Sequence, residues 1–299
     1  MPRSSSETLL FVGCATLDSI ALVPEYPTAD SRTVAADFVT AGGGPAATAA
    51  VAAARAGART AFAGVVGVDE EGDRIISGLE AEGVDTSAVI RDANVKTGAS
   101  VIVVSRATES RAIVTRPQPA VTFPAGSPFH ELLGAAAWVH VDHLGWSAVA
   151  QAPNLRISVD AGNAIPSFTP KGVALYVPTI ERLRAEYGEG LSPEALLHKA
   201  IDDGASAVVA TAGSEGAWVL ERGGSPVHVP ATPANIVSTL GAGDVYHGAI
   251  LAAVAAGLPL VDAAIFAGRT ASASCAGLDG RSMIPRQAIT PVLTANPTA

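Results

Sequence analysis

Cysteine is nearly absent from this chain. Only Cys14 and Cys275 occur in 299 residues, far apart and each in an apolar stretch. No CxxC or Cys/His spacing exists, which argues against a structural zinc site and leaves two buried free thiols in a reducing compartment. Aromatic residues make up 5%, so the core must be built from Ala, Val, Leu and Ile. Charged residues are sparse at 16%, and the formal net charge is −9. Such a surface repels nucleic-acid backbones and anionic membranes, and an anionic ligand would need a local basic pocket. Long apolar runs are missing too. Ala249 to Gly257 is cut by Pro259 and ended by Asp262, which suits a buried helix rather than a membrane span. Met1 to Glu7 is polar and lacks an apolar leader core, so a cytoplasmic location is expected.

Hydrophobic residues make up 48%, enough for one large α/β domain or two modest ones. Leu9 to Gly13 and Thr60 to Val66 read as buried strands, with Asp18 placed where a strand gives way to a loop. Ala46 to Gly57 reads as an Ala-rich helix stopped by glycine, and Asp69 to Glu82 as a second helix. Ser100 to Arg106 and Arg111 to Arg116 form a predicted hairpin, more polar than the core strands, as an exposed sheet would be. From Ala137 onward, strands at 139–141, 157–159, 175–177 and 207–211 alternate with helices at 181–187, 193–202, 244–256 and 261–276. That alternation argues for a parallel sheet covered by helices. The tail from Thr290 is expected to be loosely held.

The stretch Ser238-Thr239-Leu240-Gly241-Ala242-Gly243-Asp244 lies between a β-prone segment and a long apolar helix. Gly241, Ala242 and Gly243 leave backbone N–H groups free to face an anion, and the helix start adds a favourable dipole. Phosphoryl transfer needs such preorganised donors, and Asp244 beside them could accept the proton of an attacking hydroxyl. A plain helix cap with a tight turn is the alternative. The second stretch, Gly42-Gly43-Gly44-Pro45-Ala46-Ala47-Thr48, permits close backbone approach by a ligand. Gly42-x-Gly44-x-x-Ala47 also fits a dinucleotide fingerprint, which would make the chain an NAD(P)-dependent oxidoreductase. The acidic residue which that fingerprint needs at the end of the next strand is missing, since Val65-Val66-Gly67 ends it and Asp69 falls in the following helix.

With these motifs the chain resembles the PfkB, or ribokinase-like, carbohydrate kinases. One signature is Gly43 to Thr48 with Arg55, Gly57, Gly64, Gly67-Val68-Asp69 and Gly72. The other is Thr239-Leu240-Gly241-Ala242-Gly243-Asp244-Val245-Tyr246 followed by Gly248. The resemblance covers nearly the whole chain. It implies one Rossmann-like α/β/α sandwich of the ribokinase type, with a small β-sheet lid inserted at about 19–40 and 96–117. It implies Asp244 as catalytic base and Gly241, Ala242 and Gly243 as the anion hole. Asp18, Gly43 and Gly44 would hold the sugar. Thr211, Gly213 and Gly216 would form the nucleotide-side turn, with Thr239 beside it. Glu181 would act on Mg²⁺ through water. ATP, Mg²⁺ and a sugar are the implied ligands, and a homodimer paired through the lids is implied by analogy.

Three positions depart from the family pattern. Ser238 replaces an aspartate that shapes the monovalent-cation loop, Pro178 replaces the asparagine ahead of Glu181, and Ala47 replaces an asparagine of the first signature. These departures keep a non-catalytic sugar or nucleotide sensor in view, whereas the intact Asp244 speaks for an enzyme. The opening Gly-Gly-Gly-Pro-Ala-Ala-Thr is most similar to the sulfofructose kinase branch. That branch implies Arg32 as a cationic lid residue, with Thr115 at a position where it has asparagine and Arg116 as a substitute charge. His143 and Trp146 follow a buried strand and could line the sugar pocket. Asp160 could face the phosphates or Mg²⁺ or simply stabilise a turn, His247 reads as a packed or hydrogen-bonded histidine rather than a second base, and Arg106 and Arg111 as solvated turn charges. The loop Gly277 to Arg281 is expected to contribute backbone shape around the adenine.

Overall fold

Aliphatic and β-branched residues with no helical period make strands, and β1 (Leu9–Val12) is buried along its whole length. The computed structural model describes residues 7–289; the expected loose tail from Thr290 lies outside the described residues. After β1 come β2 (Thr16–Val23), β3 (Asp37–Gly43), α1 (Pro45–Arg55), β4 (Thr60–Ala63), β5 (Val65–Gly67), α2 (Glu70–Ala81) and β6 (Ile90–Asp92). Then follow β7 (Ala99–Ser105), β8 (Ser110–Thr115), α3 (Pro128–Ala135), β9 (Trp138–Val141), α4 (Trp146–Val149), β10 (Ile157–Asp160) and β11 (Leu175–Val177). The remainder is α5 (Ile180–Tyr187), α6 (Pro193–Asp202), β12 (Ala207–Thr211), β13 (Ala217–Glu221), β14 (Val227–Val229), α7 (Ala242–Ala255) and α8 (Leu260–Ser274).

Among the described residues, the large sheet runs β14-β13-β12-β11-β10-β9-β1-β4. It is parallel from β4 to β12, as the strand–helix alternation predicts. At the other edge β13 and β14 turn antiparallel, because the short turn Ala212–Gly216 leaves no room for a crossover helix. Helices cover both faces. On one, α1 packs against α7 and α7 against α8. Alanines 46, 47, 49, 50, 52 and 53 are fully buried, and a Cβ at Gly248 would collide with the Ala49 carbonyl. Small side chains thus bring α1 and α7 close together, and the sequence needs few aromatics to fill the gap. No helix among the described residues is long and apolar enough to cross a membrane.

A separate four-stranded sheet, β3-β2-β7-β8, stands over one end of the large sheet's helices. Asp18 lies inside β2 rather than at a strand end. The chain leaves β1 at Gly13 and re-enters a strand at Thr16, and the side chains of Thr16, Asp18, Ile20 and Leu22 alternate onto the buried face. The expected strand 60–66 is also split. Gly64 separates β4, in the large sheet, from β5, which pairs with β6.

Candidate active site

The floor of the site is the start of α7. Gly241 is its N-cap and holds φ 72°, the left-handed region where a Cβ is costly. No side chain caps the helix; the Ala242 amide donates to the Thr239 carbonyl at 3.3 Å, and the Gly243 and Asp244 amides are left to whatever approaches them. A Cβ on Gly243 would meet nothing within 4 Å, so that position opens on free space. Asp244, in the first turn, lines the same cavity as Gly241.

The roof is the small sheet. Cross-strand register puts Thr115, Ser100, Asp18 and Ala41 in one row, and Ile113, Ile102, Ile20 and Val39 in the next. The polar row and the floor enclose a cavity of about 310 Å³, a size suited to a small ligand. Asp18 Oδ1 is buried and accepts no hydrogen bond from the described residues. A buried oxygen in that condition is expected to have a partner, and a ligand hydroxyl in the cavity would supply one. Gly43 must be glycine, since a Cβ there would collide with the Asp18 carboxylate and the Thr16 hydroxyl. Gly42 is equally constrained by the Arg281 guanidinium.

Two residues, the buried Asp142 and the half-buried Arg281, tie the walls together. Asp142, at the end of β9, accepts from the Cys14 and Ala46 amides through Oδ2 (2.7 and 3.3 Å). Its Oδ1 accepts from the Leu144 and Gly145 amides (2.9 and 3.0 Å). It thereby fixes the exit of β1 and serves the start of α1, whose N-cap, Gly44, has no side chain. Arg281 donates to the Gly43 carbonyl at 2.8 Å and to Thr48 Oγ1 at 3.1 Å. Burial pulls its pKa down to about 10, and the charges of Asp18 and Asp244 oppose that fall.

Burial pushes Asp244 up to about 7, helped by the like charges of Asp160 and Asp142 and opposed by His247 and Arg281. A carboxyl at that value is half-ionised at neutral pH, suited to accepting a proton. Asp18 is also raised by burial, while Thr16, Ser100 and Arg281 work the other way.

The structure brings Asp18, Gly43, Gly44, Thr115, His143, Gly241 and Asp244 to one cavity. Ala242 and Gly243 continue from Gly241 at the helix start. Thr239 lies across Leu240, in a second cavity of about 480 Å³. Thr211, Gly213 and Gly216 form the turn between β12 and β13 and line neither cavity. Glu181 is an exposed residue in the first turn of α5, a helix capped by Thr179.

Other expectations need correction. Arg32 is exposed on the loop between β2 and β3, outside the cavity lining, because Pro24 and Pro27 follow the end of β2 and carry the chain outward. Arg116 donates to the Thr97 carbonyl at 2.8 Å and faces Glu71, so it brings no charge to the cavity. Arg111 is more than a solvated turn charge. It donates to Thr239 Oγ1 at 3.0 Å and lines the second cavity with Arg106. The loop Gly277–Arg281 contributes a side chain as well as backbone shape, through Arg281. Gly42 and Gly43 belong to an antiparallel strand of the small sheet, so the dinucleotide fingerprint lacks the parallel βαβ setting it requires. Gln118 and Asn163 also line the first cavity; both come from loops, with no motif around them.

The sequence model of the pfkB family carbohydrate kinases matches residues 6–286. Mouse ketohexokinase is 28% identical over 293 residues, spanning 91% of this chain and 97% of its own. Ribokinase of Bacillus subtilis is 26% identical over 278 residues, spanning 92% and 94%. Among solved structures, ribokinase of Thermotoga maritima aligns at a TM-score of 0.80, with 22% identity over 93% of this chain and 96% of that one. Arabidopsis thaliana ribokinase, complexed with ribose and ATP, aligns at 0.78, with 22% identity and the same coverage. The architecture is therefore the ribokinase-type α/β fold.

Proposed function

This chain belongs to the pfkB family of carbohydrate kinases, and from that premise we propose that it transfers the γ-phosphoryl group of ATP to a hydroxyl of an uncharged sugar, with Asp244 as the base. The observation that carries this reading is one cavity shared by Asp18, with its unpartnered buried oxygen, Asp244, and the glycine-lined start of α7. Asp18 accepts from sugar hydroxyls and orients the ring. The attacking hydroxyl gives its proton to Asp244 as its oxygen bonds to the γ-phosphorus. The bond from that phosphorus to the β–γ bridging oxygen breaks, and ADP leaves with the electron pair. The Gly241 and Gly243 amides hold the charge that develops on the phosphoryl oxygens.

The small sheet acts as a lid over a single catalytic domain, excluding water so that ATP is not simply hydrolysed. The second cavity, with Arg106 and Arg111 beside Thr239, offers cationic donors next to the anion hole for the rest of the triphosphate. Mg²⁺, when bound, offsets phosphate charge and takes mostly phosphate and water oxygens, as its octahedral preference dictates. The exposed carboxylate of Glu181 fits a water-mediated role toward it, whereas the imidazole of His247 is already paired with Asp160 and does not suit Mg²⁺. Ser238 turns its hydroxyl to the Leu240 amide (3.1 Å) and brings no carboxylate to a cation loop, so activity without K⁺ is expected. Phe38, Val101 and Val114 present exposed side chains on the outer face of the small sheet, which suits pairing of two copies through it.

Charge decides the substrate class. Among the described residues lining the first cavity there is no Lys or Arg, and Arg281 is spent on Gly43 and Thr48. A sulfonate or phosphate on the sugar would enter beside two carboxylates without a paired cation. The test is sugar-dependent ADP release with MgATP across fructose, ribose, 2-keto-3-deoxygluconate, fructose 6-phosphate and sulfofructose. Uncharged sugars are expected to work best. A preference for sulfofructose that Arg32→Ala removes would instead support the sulfofructose reading.

A further inference from the structure

Behind Asp244 lies a buried pair that phosphoryl transfer, as described above, does not use. His247 follows Asp244 by one turn of α7, and its Nδ1 sits 3.0 Å from Asp160 Oδ2 at the end of β10. Both residues are buried, at 5% exposure each. A side-chain oxygen or nitrogen from each of Asp160, Asp244 and His247 lies within 4.8 Å of the others. An unpaired charge so deep would be costly, so each member needs the others.

We propose that Asp160 and His247 form a positioning pair that acts through Asp244, with the charge of His247 shared between Asp160 and Asp244, so that the base faces the cavity with its charge balanced from behind. This inference rests on Asp244 being the base. Every group facing the pair fits a charged His247. Burial works against charge on Asp160, but the charge of His247, 3.0 Å away, outweighs it and holds Asp160 at about 2. Burial likewise works against a charged His247, and Asp160, Asp244 and the Val177 carbonyl on β11 outweigh it. His140 on β9, with its ring 5.7 Å from that of His247, is driven down to about 3 by burial and by the neighbouring imidazolium, so it stays neutral. Toward Asp244 itself face Asp160, His247, Asp142 and Arg281, and burial and the surrounding carboxylates keep the Cys14 thiol protonated. His143 adds its influence through Asp142.

The pair therefore pulls Asp244 in two directions. Asp160 disfavours its ionisation and His247 favours it. Removing either one moves the acid limb of activity, in opposite senses. In Asp160→Asn, one like charge is gone and the imidazolium is left to Asp244 alone, so the base ionises more readily and the acid limb of kcat/KM falls by about one pH unit. In His247→Asn, Asp160 faces Asp244 with no cation between them, and the limb rises by a similar amount.

The experiment measures sugar-dependent ADP release from pH 5 to 9 for wild type, Asp160→Asn, His247→Asn and the double variant, with Asp244→Asn alongside. Circular dichroism and ADP binding confirm folding. Opposite displacements of the limb, with the double variant between them, are expected. A uniform loss at every pH with the limb unmoved means the pair merely packs, and overturns the inference while leaving Asp244 as base. Full activity of Asp244→Asn removes both readings together. If His247→Asn does not fold, Asp160→Asn decides alone, since an unmoved or raised limb there contradicts the proposal.

Discussion

The two walls of the cavity are built on opposite terms. The floor is the end of a helix embedded in the core, with residues 245 to 253 of α7 all buried. The roof is a small sheet buried on one face only. It is held down by Ile20, Leu22, Ile102 and Val104 packed with Leu278 and Leu240, while Phe38 at 62% and Val114 at 73% exposure stand on the other face. A wall of the first kind keeps reacting groups in fixed geometry, and one of the second kind can open and close at small cost. In the proposed reaction, chemistry belongs to the floor and substrate capture to the roof.

Paired substitutions sharpen this division most. Asp244→Asn on the floor lowers kcat by about 10²–10⁴ with nucleotide binding kept, and Asp18→Asn on the roof acts mainly on the sugar KM, as steady-state kinetics will separate. Next comes Gly243→Ala. Its methyl meets nothing in the fold and suits a helix better than glycine, so thermal stability is kept or slightly raised, but it stands beside the proposed anion site and lowers kcat by about tenfold or more. Leu278→Ala weakens the patch that docks the roof, by about 2–4 kcal/mol for a buried leucine of this kind. ADP release without sugar then rises relative to sugar phosphorylation, which a coupled assay with and without sugar reads. The smallest effect on activity is expected from Phe38→Ser with Val114→Ser, on the outer face. Turnover per subunit stays near wild type while sedimentation shows a shift toward monomer; an unchanged mass would break the proposed pairing through this face.

The floor was legible in the sequence because its signal is local. Glycines, a helix start and Asp244 fall within a few residues, and a dozen neighbouring positions suffice to place them. The large sheet was legible for the same reason, through the alternation of short apolar runs with helical stretches. What was missed depends on long reach. Arg281 meets Gly43 across 238 positions, Asp142 meets Cys14 across 128, and Arg111 meets Thr239 across 128. No pattern around those residues announces a partner so distant. Asp18 lines the cavity from inside β2, whereas the sequence pattern puts it at a strand end. A polar residue inside a strand reads as a break until the register shows that its row faces a cavity rather than the core. The Asp160–His247 contact was also out of view, since it pairs a strand end with a helix face across 87 positions of chain, counted from 160 to 247.

The most direct test of the account is the pH dependence of sugar-dependent ADP release in wild type and Asp244→Asn. The account predicts a wild-type rate that rises through about pH 7 as Asp244 loses its proton, and a variant that is slow and flat across the range while still binding ADP and sugar. A variant that keeps more than about a tenth of the wild-type rate, against the losses expected for removal of a general base, or that keeps the same acid limb, would contradict Asp244 as the base.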